Sequence, residues 1–163
     1  MQVSFKNGND VAVHDTMVFE EIWEPELRVD EEEKGNQLSM CVSHYMFVGG
    51  EIAGEIYSMT MPELRDDEPD MPDIFDTKYD DGSKVIYASS MALLPAFQGK
   101  GLSKTLKAYH MGYLKALGYA LLIGHATHDG MDNINEFFGA KFLAEHKNWY
   151  DTGRTARFYE IDL

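Results

Sequence analysis

The sequence predicts an α/β fold with a mixed sheet, and two patterns carry that expectation. Two β-prone runs, residues 40–48 and 51–59, are joined by Gly49-Gly50, a hairpin signal. An apolar run at 84–94 leads into a helical pattern at 103–117, and a second apolar run follows at 119–124. Strand, helix and strand in that order imply a parallel or near-parallel crossover. A chain of 163 residues suits one domain, expected to span 1–163, with a sizeable core.

The remaining elements follow in order. Residues 3–6 read as a short first strand. Asp15 and Thr16 look like a helix start, with Val18, Phe19, Ile22 and Trp23 on one side and Glu20, Glu21 and Glu24 outward. The acidic run 30–33 reads as the solvated end of this helical region. Residues 60–83 hold three of the five prolines and read as a long acidic loop with room for one short helix. In the helix at 103–117, Leu102, Leu106, Tyr109, Tyr113 and Leu117 form the expected apolar stripe, with Lys104, Lys107 and Lys115 outward. Gly118 stops that helix. A short helix at 132–138 ends at Gly139, and strands at 141–145 and 157–163 complete the sheet.

Charge narrows the function classes. The net charge of −14 argues against nucleic acid or an anionic membrane surface as partner. Residues 1–62 carry −9, residues 63–84 carry −6 and residues 85–163 carry +1, so only the last part tolerates an anion. The longest apolar run, 116–124, is too short to span a membrane. The N-terminal stretch lacks a secretory layout, and Cys41 is the only cysteine. A reducing cytoplasm is therefore the expected compartment. Cys41 lies in a strand pattern and is read as packing.

The stretch Leu93-Leu94-Pro95-Ala96-Phe97-Gln98-Gly99-Lys100-Gly101-Leu102-Ser103-Lys104 concentrates the chemistry. A strand-to-helix turn of small residues leaves backbone N–H groups without acceptors, and the helix dipole adds positive potential, so phosphates bind well there. Glycines allow close approach, and Lys100 and Lys104 add charge. On spacing alone the same residues also fit a plain tight turn.

With its flanks, this stretch resembles the acetyl-CoA signature of the GCN5-related N-acetyltransferase (GNAT) superfamily, carried by Gln98, Gly101 and Ser103. Pro95, two residues after Leu93, matches the end of the family's fourth strand. VGGEIAGEI and FFGAKFL resemble two further family segments. The resemblance implies a mostly antiparallel central sheet flanked by helices and acetyl-CoA as co-substrate. Backbone N–H groups from Gln98 through Gly99, Lys100, Gly101 and Leu102 to Ser103 would cradle the pyrophosphate. Leu93 and Leu94 would pair with the pantetheine, and an N–H there would polarise the thioester. His128 stands where the family often has a CoA-contacting asparagine.

The chain also departs from the family. Asn135 occupies the position of the tyrosine that protonates the leaving thiolate, which leaves Tyr150 or Tyr159 as candidate acids. The fourth strand offers no carboxylate, so Glu55 is the candidate base, against a plain reading as a solvent-facing strand residue, and Ser90 or Ser89 could hold a relaying water. His125 and His128 are ligand-type residues, but no third or fourth ligand is in view, so no metal site is expected. The expected activity is transfer of an acetyl group to a primary amine. The acceptor is expected to be a cationic small molecule or basic protein drawn by the acidic loop, with a homodimer left open. The alternative is a non-catalytic acyl-CoA-binding or acidic protein-interaction module on the same fold.

Overall fold

The computed structural model describes residues 2–23, 25 and 28–163, and among these seven strands and five α-helices are present. The strands are β1 (Val3–Asn7), β2 (Cys41–Val48), β3 (Glu51–Thr60), β4 (Val85–Leu93), β5 (Leu121–Ala126), β6 (Lys141–His146) and β7 (Ala156–Asp162). The helices are α1 (Val13–Thr16), α2 (Glu31–Ser39), α3 (Met61–Asp67), α4 (Leu102–Ala116) and α5 (Asp129–Phe137). The sheet order is β1-β2-β3-β4-β5-β7-β6. The β4–β5 pair is parallel, whereas β1–β2, β2–β3, β5–β7 and β6–β7 are antiparallel. The chain divides into two compact units. Unit 1 comprises the described residues up to Met59 with Ser89–His110, and unit 2 comprises Thr60–Ala88 with Met111–Leu163.

Unit 1 packs Met46, Ala53 and Ile56 against Leu102 and Leu106, beside a second cluster of Phe19, Leu38, Tyr45 and Ala92. The Gly49-Gly50 hairpin forms as expected, with both glycines at positive φ. The helical region after Ala12 is shorter than the sequence pattern predicts. Only α1 is α-helical, and Met17–Ile22 continues as a 3-10 helix. That tighter winding turns Glu20 inward, where it is 6% exposed, while Glu24 lies outside the described residues. The acidic run does not end a helix but starts one. The Asp30 carboxylate accepts from the Glu33 N–H at 2.8 Å, and Glu31–Glu33 sit in the first turn of α2, where the helix dipole favours them.

Unit 2 buries Ile86, Leu122, Ile123, Phe158 and Ile161 on its strands. The acidic segment is not simply solvated loop, because Met61, Leu64, Met71, Ile74 and Tyr79 are buried along it. The stripe on α4 is also rotated from its predicted position. Leu102, Leu106, Lys107, His110 and Leu114 are buried, whereas Tyr109 and Leu117 are 38% and 54% exposed. The sequence pattern treated Lys107 as a solvent residue, but its aliphatic stem completes the i, i+4 packing face. Burial pulls its ammonium down to about 8.

Candidate functional site

In unit 1, β4 ends at Leu93 and the chain crosses a 3-10 turn, Pro95–Phe97, before α4 begins. Gly99 and Gly101 adopt φ of +73° and +75°, a left-handed conformation that side chains with a Cβ resist. A Cβ built on either meets no atom within 4 Å, so the turn faces open space on that side. Among the described residues, no backbone carbonyl takes the N–H groups of Gly99, Lys100, Gly101, Leu102 or Ser103. These groups lie at the positive end of α4, where the helix dipole favours an anion.

Side chains brace this turn. The Gln98 amide donates to the Leu93 carbonyl at 2.9 Å, and Lys100 donates to the Ala96 carbonyl at 2.8 Å. Gln98 therefore closes the turn with its side chain. Its backbone N–H donates to the Pro95 carbonyl at 3.3 Å, so it is not one of the unclaimed N–H groups expected from the sequence. Leu94 is fully engaged. Its N–H donates to Ala53 at 3.0 Å and its carbonyl accepts from Phe97 at 2.9 Å, so neither group is left to pair with a ligand. Strand alternation turns the Leu93 N–H to the opposite edge of β4.

The candidate base is held very differently from a solvent-facing strand residue. Glu55 is fully buried, and its two carboxylate oxygens lie 3.2 and 3.1 Å from the Lys34 ammonium. Lys34, also fully buried, donates to Glu20 at 2.8 Å. Burial pushes Glu55 up to about 7 against the opposing pull of Lys34. Burial pulls Lys34 down, but Glu55 and Glu20 outweigh it and leave the ammonium raised. Tyr57 is raised to about 12 chiefly by burial and by Glu55, and the buried Ser90 hydroxyl has no hydrogen-bond partner among the described residues. Glu55 belongs to a buried polar network with Lys34 and Glu20, and Ser90 does not join it. Neither Lys34 nor Glu20 was legible as a partner, since both sit in segments whose pattern pointed to solvent.

In unit 2, the Tyr150 hydroxyl donates to Glu68 at 2.8 Å and its residue is 55% exposed. Burial of the hydroxyl and the Glu68 carboxylate hold Tyr150 above the usual tyrosine range. Tyr159 is only 3% exposed and crosses β5 at Gly124, where a Cβ would lie 2.7 Å from its hydroxyl oxygen. Gly124 is the last rung of the β4–β5 pairing, opposite Ala88. Burial raises Tyr159, partly offset by a hydrogen bond with buried Asn135. His128 caps α5 from an exposed position and meets Arg154 at 3.3 Å.

No protein-family model and no curated protein matches the sequence. Solved structures do. A phosphinothricin acetyltransferase of the GNAT superfamily from Sinorhizobium meliloti, in complex with acetyl-CoA, superposes with a TM-score of 0.74 at 18% identity, covering 100% of this chain and 89% of that one. NAA60 of Arabidopsis thaliana, also in complex with acetyl-CoA, gives a TM-score of 0.74 at 12% identity over 99% of each chain. The ribosomal-protein-S18-alanine N-acetyltransferase of Escherichia coli gives 0.71 at 14% identity over 99% of this chain and 94% of that one. The fold is that of the GNAT acetyltransferases.

On this GNAT fold the Asn135–Tyr159 pair acquires meaning. The sequence has asparagine where the resemblance expects a tyrosine, and the structure brings a tyrosine hydroxyl to that asparagine from β7. Sequence spacing could not reveal this, because the two residues are joined only by the folding of β7 against β5. Among the described residues, no helix is long and apolar enough to cross a membrane.

Proposed function

We propose that the chain is an acetyl-CoA-dependent N-acetyltransferase that modifies a primary amine in the cytoplasm. The observation that carries the reading is the row of unclaimed N–H groups from Gly99 to Ser103 at the start of α4. That row suits a pyrophosphate, and the GNAT fold supports acetyl-CoA as its source. The Leu93 N–H, on the edge of β4 away from Ala53, is the donor assigned to the thioester carbonyl. Tyr159 is the acid that returns a proton to the thiolate, in place of the missing tyrosine at Asn135, and Tyr150 is left as a residue that fixes Glu68. Glu55 touches no acceptor directly. Its role is to raise the proton affinity of Tyr57.

The acceptor is a cationic amine. Asp66, Asp67 and Asp70 are exposed, while Glu68 and Asp73 are taken by Tyr150 and by two histidines. Three carboxylates thus remain to draw in positive charge.

The test is acetyl-CoA binding followed by turnover. Acetyl-CoA at a hundredfold excess over its Kd stabilises the native state by about 2.7 kcal/mol, read as a rise in Tm. Gly101→Glu adds a carboxylate at the cradle and removes that rise. Release of CoA thiol with an amine then separates an enzyme from the non-catalytic acyl-CoA-binding protein that Asn135 would otherwise favour. Tyr159→Phe slows release by about 10²–10⁴-fold, whereas Tyr150→Phe does not. Equal Tm shifts in wild type and Gly101→Glu would refute the cradle.

A further inference from the structure

Three residues far apart in sequence converge in unit 2 on a geometry that acetyl transfer does not use. His125 lies near the end of β5 and His146 ends β6. Asp73 sits in the segment between α3 and β4, with φ of +70°. The Nε2 atoms of both histidines point at one oxygen, Asp73 Oδ2, at 3.1 Å for His125 and 2.6 Å for His146. The three donor atoms lie within 4.8 Å of one another. Two imidazole nitrogens and one carboxylate oxygen form a donor set that suits zinc and its first-row neighbours rather than magnesium or calcium, which prefer oxygen.

The surroundings are those of a ligand set. A metal-bound histidine nearly always donates its other ring N–H to a fixed acceptor. His125 has such a partner, the Tyr87 hydroxyl, 3.0 Å from Nδ1. The His125 ring is clamped between Trp149, stacked at 4.5 Å, and Phe158 at 4.8 Å. The side chains of Asp73 and His146 are 22% and 29% exposed, against 2% for His125. The rigid ligand therefore lies beneath two adjustable ones that reach solvent. Tetrahedral zinc holds its ligand atoms about 3.3 Å apart. Seating the ion needs only a small outward movement of the two half-exposed side chains.

We propose that Asp73, His125 and His146 bind a divalent transition-metal cation of the zinc class, through Oδ2 and the two Nε2 atoms, with a fourth position open to water or another ligand. The ion ties the acidic segment to β5 and β6 and places a second, metal-dependent feature on the chain. It is independent of the acetyl-CoA cradle in unit 1, so either can fail without the other.

The experiment is zinc titration of the full-length protein after chelator treatment, read by calorimetry and by metal content after gel filtration. One equivalent per chain is expected, with a higher Tm, and magnesium at the same concentration has no effect. Cobalt substitution gives the visible bands of a low-coordinate site. His146→Ala and Asp73→Asn lose binding by more than a hundredfold. Tyr87→Phe weakens it by about tenfold to a hundredfold, and His14→Ala, in unit 1, leaves it intact. If the ligand variants do not fold, imidazole ¹⁵N resonances of the wild-type chain decide the matter, since zinc should shift two of the six histidines. No uptake by the wild type, uptake unchanged in both ligand variants, or no shifted pair of imidazoles would overturn the proposal.

Discussion

Lys34 in unit 1 and Lys78 in unit 2 each hold carboxylates, but under opposite conditions. The Lys34 side chain and that of Glu55 are both 0% exposed, whereas Lys78 is 46% exposed beside Glu160 at 16%. The same contrast runs through the histidines. His44 and His110 are sealed in unit 1, their Nδ1 atoms 2.7 Å apart and His110 Nε2 2.8 Å from Ser58 Oγ. His146 in unit 2 stays partly open to water. Sealed charges must be paired at the moment of folding and can only tune one another, whereas half-open ones can exchange partners with a ligand. The location of the charged groups therefore separates charges that hold the fold from charges that a ligand can reach.

The sharpest way to break this comparison is to remove each lysine. Lys34→Met strands Glu20 and Glu55 in the interior and costs about 3–5 kcal/mol. Lys78→Met removes a half-exposed ammonium and leaves Glu160 with the Tyr79 hydroxyl as donor, and it costs about 1 kcal/mol. Urea unfolding of both variants checks this. Similar costs would mean that burial does not distinguish the two networks.

The pH dependence of stability is the next largest effect. Burial lowers His44 to about 4; burial, with His44 and Lys107 nearby, lowers His110 to about 3, and burial lowers His125 to about 4. Each charges in the unfolded chain near pH 6.5 but not in the native one. The stability each contributes is complete above pH 6.5 and is lost as pH falls, at about 1.4 kcal/mol per pH unit per histidine. Glu55 acts oppositely. Its raised value, about 7, means that the native state keeps a proton that the unfolded chain releases above about 4.5, so its contribution is complete in acid and fades as pH rises to 7. Glu55→Gln should therefore steepen the acid loss between pH 7 and 5, and His110→Gln should flatten it. Denaturant midpoints across that range read both slopes. A slope unaffected by either substitution would mean that these groups titrate alike in both states.

How much of this was legible depends on whether the signal was local. The Gly49-Gly50 hairpin, the strand before the glycine turn and the helix after it announce themselves in consecutive residues, and the structure has them. Elements set by distant partners did not. Glu20 and Lys34 read as surface charges because nothing nearby in sequence says that each will meet Glu55. The rotated face of α4 depends on the burial of Lys107, which an apolar pattern cannot register. His125 was visible as a ligand-type residue, but its partners lie 52 and 21 residues away, at Asp73 and His146. The acidic segment read as solvated because its charges outnumber Met71, Ile74 and Tyr79, the residues that anchor it.

A smaller effect sharpens the close packing in unit 2. Gly124→Ala places a Cβ 2.7 Å from the Tyr159 hydroxyl oxygen and 2.9 Å from Cζ. The ring must shift, at a cost of about 1–3 kcal/mol. Combining it with Tyr159→Leu, which removes the ring, should recover most of that loss relative to Tyr159→Leu alone. Thermal unfolding of the four proteins forms the cycle, and strict additivity would remove Tyr159 as the reason for glycine at this rung.

The smallest expected effect tests the half-open charges of unit 2 against the proposed acceptor. Glu63 accepts from Thr60, Glu68 from Tyr150, Asp76 from the Lys78 N–H and Asp81 from Ser83, so these acids already have partners within the fold. Asp66, Asp67 and Asp70 are exposed and are the ones free to act at a distance. An exposed pair of opposite charges is worth well under 1 kcal/mol, so removing one carboxylate should raise the KM for a cationic amine by about twofold. Asp66→Asn, Asp67→Asn and Asp70→Asn together should multiply these factors, leave kcat unchanged and leave the acetyl-CoA affinity of unit 1 untouched. Raising the ionic strength should reproduce the change in wild type and shrink the difference between wild type and the triple variant, because charges beyond about 8 Å are screened at physiological salt. A KM that follows neither salt nor the substitutions would assign these three aspartates to solubility alone and turn the search for the acceptor toward neutral amines.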